Sequence, residues 1–255
     1  EIFYIRTNNT GSTSAANPAT VNFTALPNKG YAVLFNSLTD DDVVYSSGEF
    51  SGKTESEYTV KLEDDTGSDE VANFMYGAIP YGFYEMPAGE NVECNLMINT
   101  DGPTKNETLQ WAMRNSNYSV VGSVTTDTTT PRFAISSDTP NLYKTANQFT
   151  FQINNHAGND EAVTSVDYCL FERGEYSLNS TILIKAGNVT QVSGAFNVTF
   201  NTPFPDTNYV VFMTHDENDT TGDAGACETT TITTGSFTAT CEDDDNNTTT
   251  IDGDS

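Results

Sequence analysis

The sequence predicts an all-β protein built from antiparallel sandwiches. Short runs of alternating, β-branched or aromatic residues recur along the 255 residues, and Gly, Pro, Asn and Asp separate them. One stretch alone has a helical pattern. The number of apolar runs fits two packed sandwiches with at most one short helix.

The predicted strands share this alternating or β-branched pattern and are bounded by turn residues. In chain order they cover residues 2–6, 20–24, 31–36, 43–46, 57–62, 92–98, 109–114, 118–124, 132–135, 149–154, 165–172, 181–185, 195–200, 209–214, 228–233 and 236–241. The predicted helix covers 68–76, because Ser68 can cap it, Asp69 and Glu70 lie in its first turn, and Gly77 follows its end.

A Thr-rich stretch, residues 123–131, divides the chain near its middle and ends in Pro131. Such a segment is extended, polar and unable to build a core. We therefore predict a boundary near Asp127, with domains over 1–127 and 128–255. Each would be an immunoglobulin-like or jelly-roll-like sandwich, and the second ends in an acidic segment. Residues 21–35 and 198–212 are weakly similar, which fits either a duplication or a common strand-turn-strand pattern.

The N-terminal residues suggest two arrangements. Residues 1–6 form an apolar strand, and small polar residues follow from Gly11 to Ala19. Residues 1–10 could be a tethered strand that completes the sheet of a neighbouring subunit, which would link copies into a fibre. Alternatively, they form an ordinary first strand within their own domain.

The charge of the chain excludes some partners. It carries 36 acidic and 10 basic residues, for a formal net charge of −26. Binding to nucleic acid or to an anionic membrane surface requires clustered Lys and Arg, which this sequence lacks. It also lacks a run of 18 apolar residues, so we predict no membrane insertion. Salt would screen the self-repulsion, which indicates a hypersaline or marine setting or a calcium-rich medium.

Asn-x-Ser/Thr sequons are the best indication of location. Composition alone would give about six, whereas the sequence has ten, at Asn8, Asn22, Asn106, Asn117, Asn179, Asn188, Asn197, Asn218, Asn246 and Asn247. We predict a glycoprotein that is extracellular, at a cell surface or on a virion exterior. The alternative is an Asn/Thr-rich chain that is never modified.

Four cysteines allow three complete pairings. Cys227 and Cys241 bracket two β-branched runs that meet at Thr234 and Gly235, so a hairpin would bring their sulfurs together. Cys94 and Cys169 then pair by elimination. Both disulfides would fit an oxidising compartment, whereas four buried free thiols are the alternative.

Acid-rich loops could bind calcium, which takes six to eight oxygen ligands. The best candidate lies between two predicted strands and contains Asp216, Asp219 and Asp223, although its spacing is not that of an EF-hand. Solvated loops that keep the protein soluble explain the same residues. No motif requires a cofactor.

An aromatic segment is the candidate binding surface. Its five rings are those of Phe74, Tyr76, Tyr81, Phe83 and Tyr84. Exposed rings could stack on sugars or seal a subunit interface, and buried rings would pack a core. The segment 74–105 contains no sequon, which favours it as a contact surface.

No catalytic motif is present. His156 and His215 lie in polar stretches without a metal-binding partner motif, and neither a nucleophile elbow nor a phosphate-binding glycine loop occurs. We therefore assign no catalytic residue and predict that the protein is not an enzyme.

Residues 196–212, FNVTFNTPFPDTNYVVF, form a strand-turn-strand pattern. This segment resembles the hairpin of H-type lectin-like domains and of many phage tail-fibre modules. The resemblance implies a six-stranded β-sandwich that trimerises and binds sugars, but no sugar-binding residue can be carried over.

These observations predict a structural, non-enzymatic subunit of an extracellular or virion-surface filament, sheath or coat, whose main partners are copies of itself. The alternative is a carbohydrate-binding adhesin or receptor-binding fibre protein, with glycans as partners.

Overall fold

A computed structural model describes residues 6–12, 19–27, 30–38, 47–63, 73–100, 105–125, 132–136, 144–154, 163–177, 183–190, 195–217, 226–242 and 252–254. These residues are all-β and contain no helix. Their strands are β1 (Arg6–Ser12), β2 (Ala19–Asn22), β3 (Tyr31–Leu38), β4 (Ser47–Ser51), β5 (Glu57–Glu63), β6 (Asn73–Pro80), β7 (Gly82–Glu85), β8 (Asn91–Thr100), β9 (Lys105–Thr108), β10 (Tyr118–Thr125), β11 (Arg132–Ser136), β12 (Lys144–Thr145), β13 (Gln148–Asn154), β14 (Val163–Glu172), β15 (Gly174–Ser177), β16 (Leu183–Ala186), β17 (Asn188–Thr190), β18 (Phe196–Thr199), β19 (Thr214–Glu217), β20 (Ala226–Ile232), β21 (Ser236–Glu242) and β22 (Asp252–Asp254).

The helix predicted over 68–76 is wrong at its C-terminal end, because residues 73–76 belong to β6. Its first residues, 68–72, lie outside the described part. β6 pairs with β1 on one side and β3 on the other, and its residues 74–79 are all buried. A continuous apolar run of this kind suits a strand covered on both faces, and the tertiary packing overrides the local capping signal.

Two further strand predictions are wrong. Residues 109–117 form a loop instead of a strand, and it is held by hydrogen bonds from Leu109 N to Asn147 O and from Met113 N to Ala146 O, both 2.8 Å. The strand predicted over 209–214 begins only at Thr214, as β19. Residues 2–5 and 43–46 lie outside the described part, and each remaining predicted strand overlaps an observed one.

Three large sheets contain most of the strands. Sheet A has the order β1-β6-β3-β20-β21-β18, and sheet B has β2-β5-β4-β10-β14-β8-β7. Sheet C has β12-β13-β11-β19-β22-β17, with β9 also paired to β13, and β15 pairs with β16 in a small ribbon. Each large sheet combines strands from both sides of Asp127. The sheets therefore do not divide at that residue, and the two-domain division stays a prediction.

Strand β14 lies at the centre of the packing. On one face Tyr168 belongs to a cluster with Phe149 of sheet C. On the other face Phe171 belongs to a cluster with Leu34 of sheet A. Alternate residues of a strand point to opposite faces, so this part of sheet B is packed between sheets C and A.

Strand β3 is also buried on both faces. Leu34 packs toward Val92 of β8, whereas Val33 packs toward Tyr58 of β5. The packing therefore has four successive layers. Sheet C packs on the centre of sheet B, the centre of sheet B packs on β3 and β6 of sheet A, and these pack on the β2–β5–β4 part of sheet B. Each large apolar side chain buried in these layers contributes about 1.5–3 kcal/mol.

Cysteines fix two of the strand pairs. Cys94 of β8 and Cys169 of β14 face each other in the sheet register and form a disulfide, with both residues fully buried. Cys227 of β20 is also disulfide-bonded, and its register partner on β21 is Cys241.

The described N-terminal strand lies at an edge. β1 pairs antiparallel with β6 within the same chain, and its register shifts between Asn8 and Gly11. Its other side has no strand partner among the described residues.

Candidate functional site

The sequons lie on exposed positions wherever their side chains are described. The five such asparagines are Asn22, Asn106, Asn117, Asn188 and Asn197, and all are exposed. Two buried asparagines, Asn36 and Asn91, lie outside sequons. Asn8 lies on β1, and Asn179, Asn218, Asn246 and Asn247 are outside the described residues. A glycan at each of the five exposed positions could extend into solvent.

Most of the aromatic segment is in the core. Phe74 is 1 % exposed, Tyr76 is 7 % exposed and Tyr84 is 5 % exposed. Tyr76 packs edge-on against Tyr58, with ring centroids 6.2 Å apart. These three rings therefore fit the core interpretation and are not accessible to an external ligand.

The remaining two rings of the segment are half-buried. Tyr81 lies against a buried carboxylate, that of Asp167. Phe83 packs against Trp111, with ring centroids 5.8 Å apart and planes inclined by 31°. Trp111, which is 38 % exposed, was not singled out from the sequence, where it lies in the wrongly predicted strand 109–114.

One edge of sheet B is open beside this pair. β7 covers only residues Asn91 to Cys94 of β8, so residues 95–100 lack a strand partner on that side within the described chain. The Leu96 N–H donates instead to the neighbouring side-chain oxygen, Asn95 Oδ1, at 2.9 Å. Ile98 is 66 % exposed on this edge.

The open β8 edge, residues 95–100, has the properties of a contact surface. An edge strand with free hydrogen-bonding groups is a template for another strand. Ile98 and Trp111 are the exposed large hydrophobic residues of the described chain. By strand alternation Ile98 and the Phe83–Trp111 pair lie on opposite faces of the edge. The edge falls within the sequon-free segment 74–105, so no predicted glycan originates from it.

A second surface surrounds residues 196–212, in which only Phe196–Thr199 forms a strand, so the hairpin predicted for this segment is not formed. A cavity of about 950 Å³ is bordered by β16, β17 and residues 198–212. Phe204 and Tyr209 stack with centroids 4.4 Å apart, and Phe200 packs edge-on against Phe204 at 5.0 Å. We call Phe200, Phe204 and Tyr209 the aromatic groove.

Backbone hydrogen bonds hold the aromatic groove in place. Phe200 N donates to Gly235 O at 2.9 Å, and Phe204 N donates to Thr234 O at 2.7 Å. The Tyr209 hydroxyl is 2.8 Å from Thr233 O. The turn between β20 and β21 therefore fixes the positions of the three aromatic residues.

Charged groups complete this groove. Lys185 Nζ lies 5.3 Å and 5.2 Å from the ring centroids of Phe200 and Phe204, respectively, and 2.8 Å from the carboxylate of Glu175. Exposed Asp206 and Asn208 lie on the rim. Apolar rings beside a few polar groups are typical of ligand pockets. Neither Lys185 nor Glu175 could be predicted, because the sequence places them outside the segment 196–212.

The predicted calcium ligands are only partly described. Asp216 lies on β19 opposite Asp252 of β22, whereas Asp219 and Asp223 fall outside the described chain. His215 is the neighbour of Asp216 on β19, and His156 also falls outside. Where the chain is described, no group of three or more His, Cys, Asp or Glu side chains is placed to hold a metal ion.

Comparison with known proteins gives no relative: no family model, no curated protein and no solved structure matches this chain. Across the ranges given above, no helix is long and apolar enough to cross a membrane. The described residues are all-β and contain a buried disulfide, which is compatible with a secreted or extracellular location.

Proposed function

We propose that the protein is a non-enzymatic structural subunit of an extracellular or virion-surface assembly, either a filament, a sheath or a coat. Its mechanism would be packing against copies of itself. The observation that carries this proposal is the open β8 edge: within the described chain residues 95–100 have no strand partner on that side, Ile98 is exposed there, and the edge lacks sequons.

A second copy would add a strand along residues 95–100. Main-chain hydrogen bonds then supply affinity, and alternate side chains supply specificity. Ile98 would be buried in this contact, which favours association by about 2 kcal/mol if burial is complete. The candidate donor is the N-terminal segment, residues 1–10. Because Arg6, Thr7 and Asn8 pair with β6 of their own chain, donation would require this strand to leave that edge or to be exchanged between copies.

In this proposal glycans and acidic side chains cover the outer surface of the assembly. The exposed sequon asparagines supply the attachment points, and high salt or bound calcium screens the net charge of −26. The clusters between sheets C and B and between sheets B and A act as the cores of two sandwiches.

Assembly of an Ile98→Lys variant tests the proposal. Lys at an open edge opposes strand addition, so the variant should remain monomeric under conditions in which the wild-type chain polymerises, as seen by light scattering and electron microscopy. Thr231→Lys is the matched control, because Thr231 is an exposed residue of β20, a strand with partners on both sides. Normal assembly by Ile98→Lys would contradict the proposed contact.

The aromatic groove supports a second candidate function, that of a carbohydrate-binding adhesin or receptor-binding fibre protein. Its half-exposed, stacked Phe204 and Tyr209 beside Lys185 and Glu175 offer both an apolar surface and polar groups to a sugar. Glycan-array binding that is lost on Phe204→Ala and retained on Trp111→Ala would support it. An array without binding by the wild-type chain would reject it.

A further inference from the structure

A buried ion pair connects two distant parts of the chain. Lys53, in the turn after β4, and Asp167, on β14, are 114 residues apart, and Lys53 Nζ lies 2.8 Å from Asp167 Oδ2. The Asp167 side chain is fully buried, and that of Lys53 is 19 % exposed. No local sequence pattern marks either residue.

Aromatic rings enclose the Lys53 amine. Its nitrogen is 5.0 Å from the ring centroid of Tyr31, 5.3 Å from that of Phe50 and 5.0 Å from that of Tyr81. It also donates hydrogen bonds to Tyr31 O at 2.6 Å and to the Tyr81 hydroxyl at 2.8 Å. These neighbours leave little room for water around the amine.

Besides the Lys53 amine, which donates to Oδ2, two further donors orient the Asp167 carboxyl group. The Tyr81 hydroxyl donates to Oδ1 at 2.5 Å, and the Val33 N–H donates to Oδ2 at 2.9 Å. The two carboxyl oxygens therefore have different partners. Oδ1 accepts from a hydroxyl that also contacts the Lys53 amine, whereas Oδ2 accepts from both the Lys53 amine and a backbone amide.

We propose that Lys53 and Asp167 form an intramolecular isopeptide bond between Nζ and Cγ, with the release of one water molecule. The proposal rests on the contact between amine and carboxyl group, on the complete burial of Asp167, and on the placement of Tyr81 and Val33 around the two oxygens.

Burial favours the neutral amine of Lys53 and the neutral carboxylic acid of Asp167, which are the forms that react. Desolvation penalises both ionic forms. It lowers the pKa of Lys53, although the charge of Asp167 opposes this shift, and it raises the pKa of Asp167, although Lys53 opposes that shift. The Tyr81 hydroxyl accepts from Nζ and donates to Oδ1, so it can pass a proton from the ammonium to the carboxylate. The products are an amine and a carboxylic acid.

The condensation balances without a cofactor. The Nζ lone pair attacks Cγ of Asp167, and the electrons of the C–Oδ2 double bond move to Oδ2, where the Val33 N–H stabilises the charge as in an oxyanion hole. Re-formation of the double bond expels Oδ1, which already carries the relayed proton and takes a second proton from the amine. The products are one amide and one water molecule.

A second ion pair in the same chain provides a comparison. Lys185 Nζ lies 2.8 Å from Glu175 Oε2, the same separation, but the Glu175 side chain is 29 % exposed. The hydrogen bond from Lys185 lowers the pKa of Glu175. Water and the lysine thus favour the carboxylate form of Glu175, and a carboxylate does not accept an amine nucleophile. The two ion pairs thus have the same N–O separation, but only the buried Lys53–Asp167 pair is expected to form an amide.

Tryptic peptide mapping of the reduced full-length protein tests the proposal. Amide formation blocks cleavage after Lys53, so residues 30–61 should appear joined to residues 145–173, with a mass one water below the sum of the two. Neither peptide contains a sequon, so glycans do not complicate the masses.

Three variants refine the test. Lys53→Arg retains the positive charge but lacks a nucleophilic amine, so it should abolish the joined species, whereas Lys185→Arg should leave it unchanged. Tyr81→Phe keeps the ring and removes the relay, and the joined fraction in freshly expressed protein should fall at least about tenfold.

Separate peptides from the folded wild-type protein, with complete cleavage after Lys53, would overturn the proposal and leave an ion pair. This result is obtained with the wild-type protein alone, so it does not depend on whether any variant folds. An undiminished joined fraction in Tyr81→Phe would overturn the role assigned to Tyr81.

Discussion

Glu93 gives the protein a pH-dependent stability that can be measured. Glu93 lies on β8 with 0 % exposure, and its Oε1 accepts a hydrogen bond from Gln110 N at 3.3 Å. Desolvation raises its pKa to about 7 from 4.5, against the effect of its hydrogen bonds. The nearby Glu107, whose pKa burial also raises, accepts a hydrogen bond from the Tyr168 hydroxyl at 3.2 Å.

The sign of the effect follows from proton linkage. Between about pH 4.5 and about pH 7 the folded chain retains a proton on Glu93 that the unfolded chain releases. The stability associated with this proton is fully present below about pH 4.5. It is lost as the pH rises through about 7, so the protein should become more stable on acidification over this window.

The substitution Glu93→Gln should remove most of this dependence. Converting the whole pKa difference at about 1.36 kcal/mol per unit gives about 3 kcal/mol. We expect about 1–2 kcal/mol, because the adjacent Gln110 is exposed and water screens the site. The variant should therefore be more stable than the wild type by this amount above about pH 8 and differ little below about pH 5.

Urea unfolding followed by tryptophan fluorescence at these two pH values measures the difference. Glu85→Gln, an exposed change on the neighbouring strand β7, is the control and should retain the wild-type pH dependence. An unchanged pH dependence in Glu93→Gln would refute the reasoning, and so would a variant less stable than the wild type above about pH 8.

Three more outcomes are expected. Replacing both Cys94 and Cys169 with Ala, which opens a cross-link between residues 75 apart, should lower the free energy of unfolding by about 2–5 kcal/mol, and a change near zero in urea melts would contradict the role of that disulfide. Phe149→Ala, at a fully buried position, should cost about 3–5 kcal/mol in the same melts, whereas a cost under about 1 kcal/mol would mean that the cluster between sheets B and C repacks. Asn117→Gln should lower the intact mass of the native protein by one glycan, and an unchanged mass would show that this exposed sequon is unoccupied.

Local strand patterns were predictable from the sequence because their signals are local. The β20–β21 hairpin follows from two β-branched runs joined at Thr234 and Gly235, and the observed bounds agree within a few residues. β6 was missed for the opposite reason. Its buried run at 74–79 does not alternate, and a plausible capping residue precedes it, so only its position between β1 and β3 identifies it as a strand.

The candidate surfaces could be predicted only in part. Five aromatic residues in 74–84 are visible in the sequence, but which of them are accessible depends on strands such as β5 that pack over them. The open β8 edge depends on where β7 ends, and the Lys53–Asp167 contact joins residues 114 apart. Contacts of this kind have no local signature, because they join residues far apart in sequence and depend on how the whole chain folds.

The acidic residues serve two separate purposes in this fold. Asp167 and Glu172, both buried on β14, hold structure: Asp167 binds Lys53, and Glu172 binds Arg114 at 2.7 Å. Both carboxylates are buried, and the Lys53–Asp167 contact is the better shielded of the two, because the Arg114 side chain is 53 % exposed; added salt should therefore weaken the Lys53–Asp167 contact little. Salt screens charges over about 10 Å at 0.1 M and about 3 Å at 1 M, so it acts mainly on acids that are exposed to solvent. If copies of the chain associate as proposed, salt should accordingly promote that association more than it changes the packing of the core.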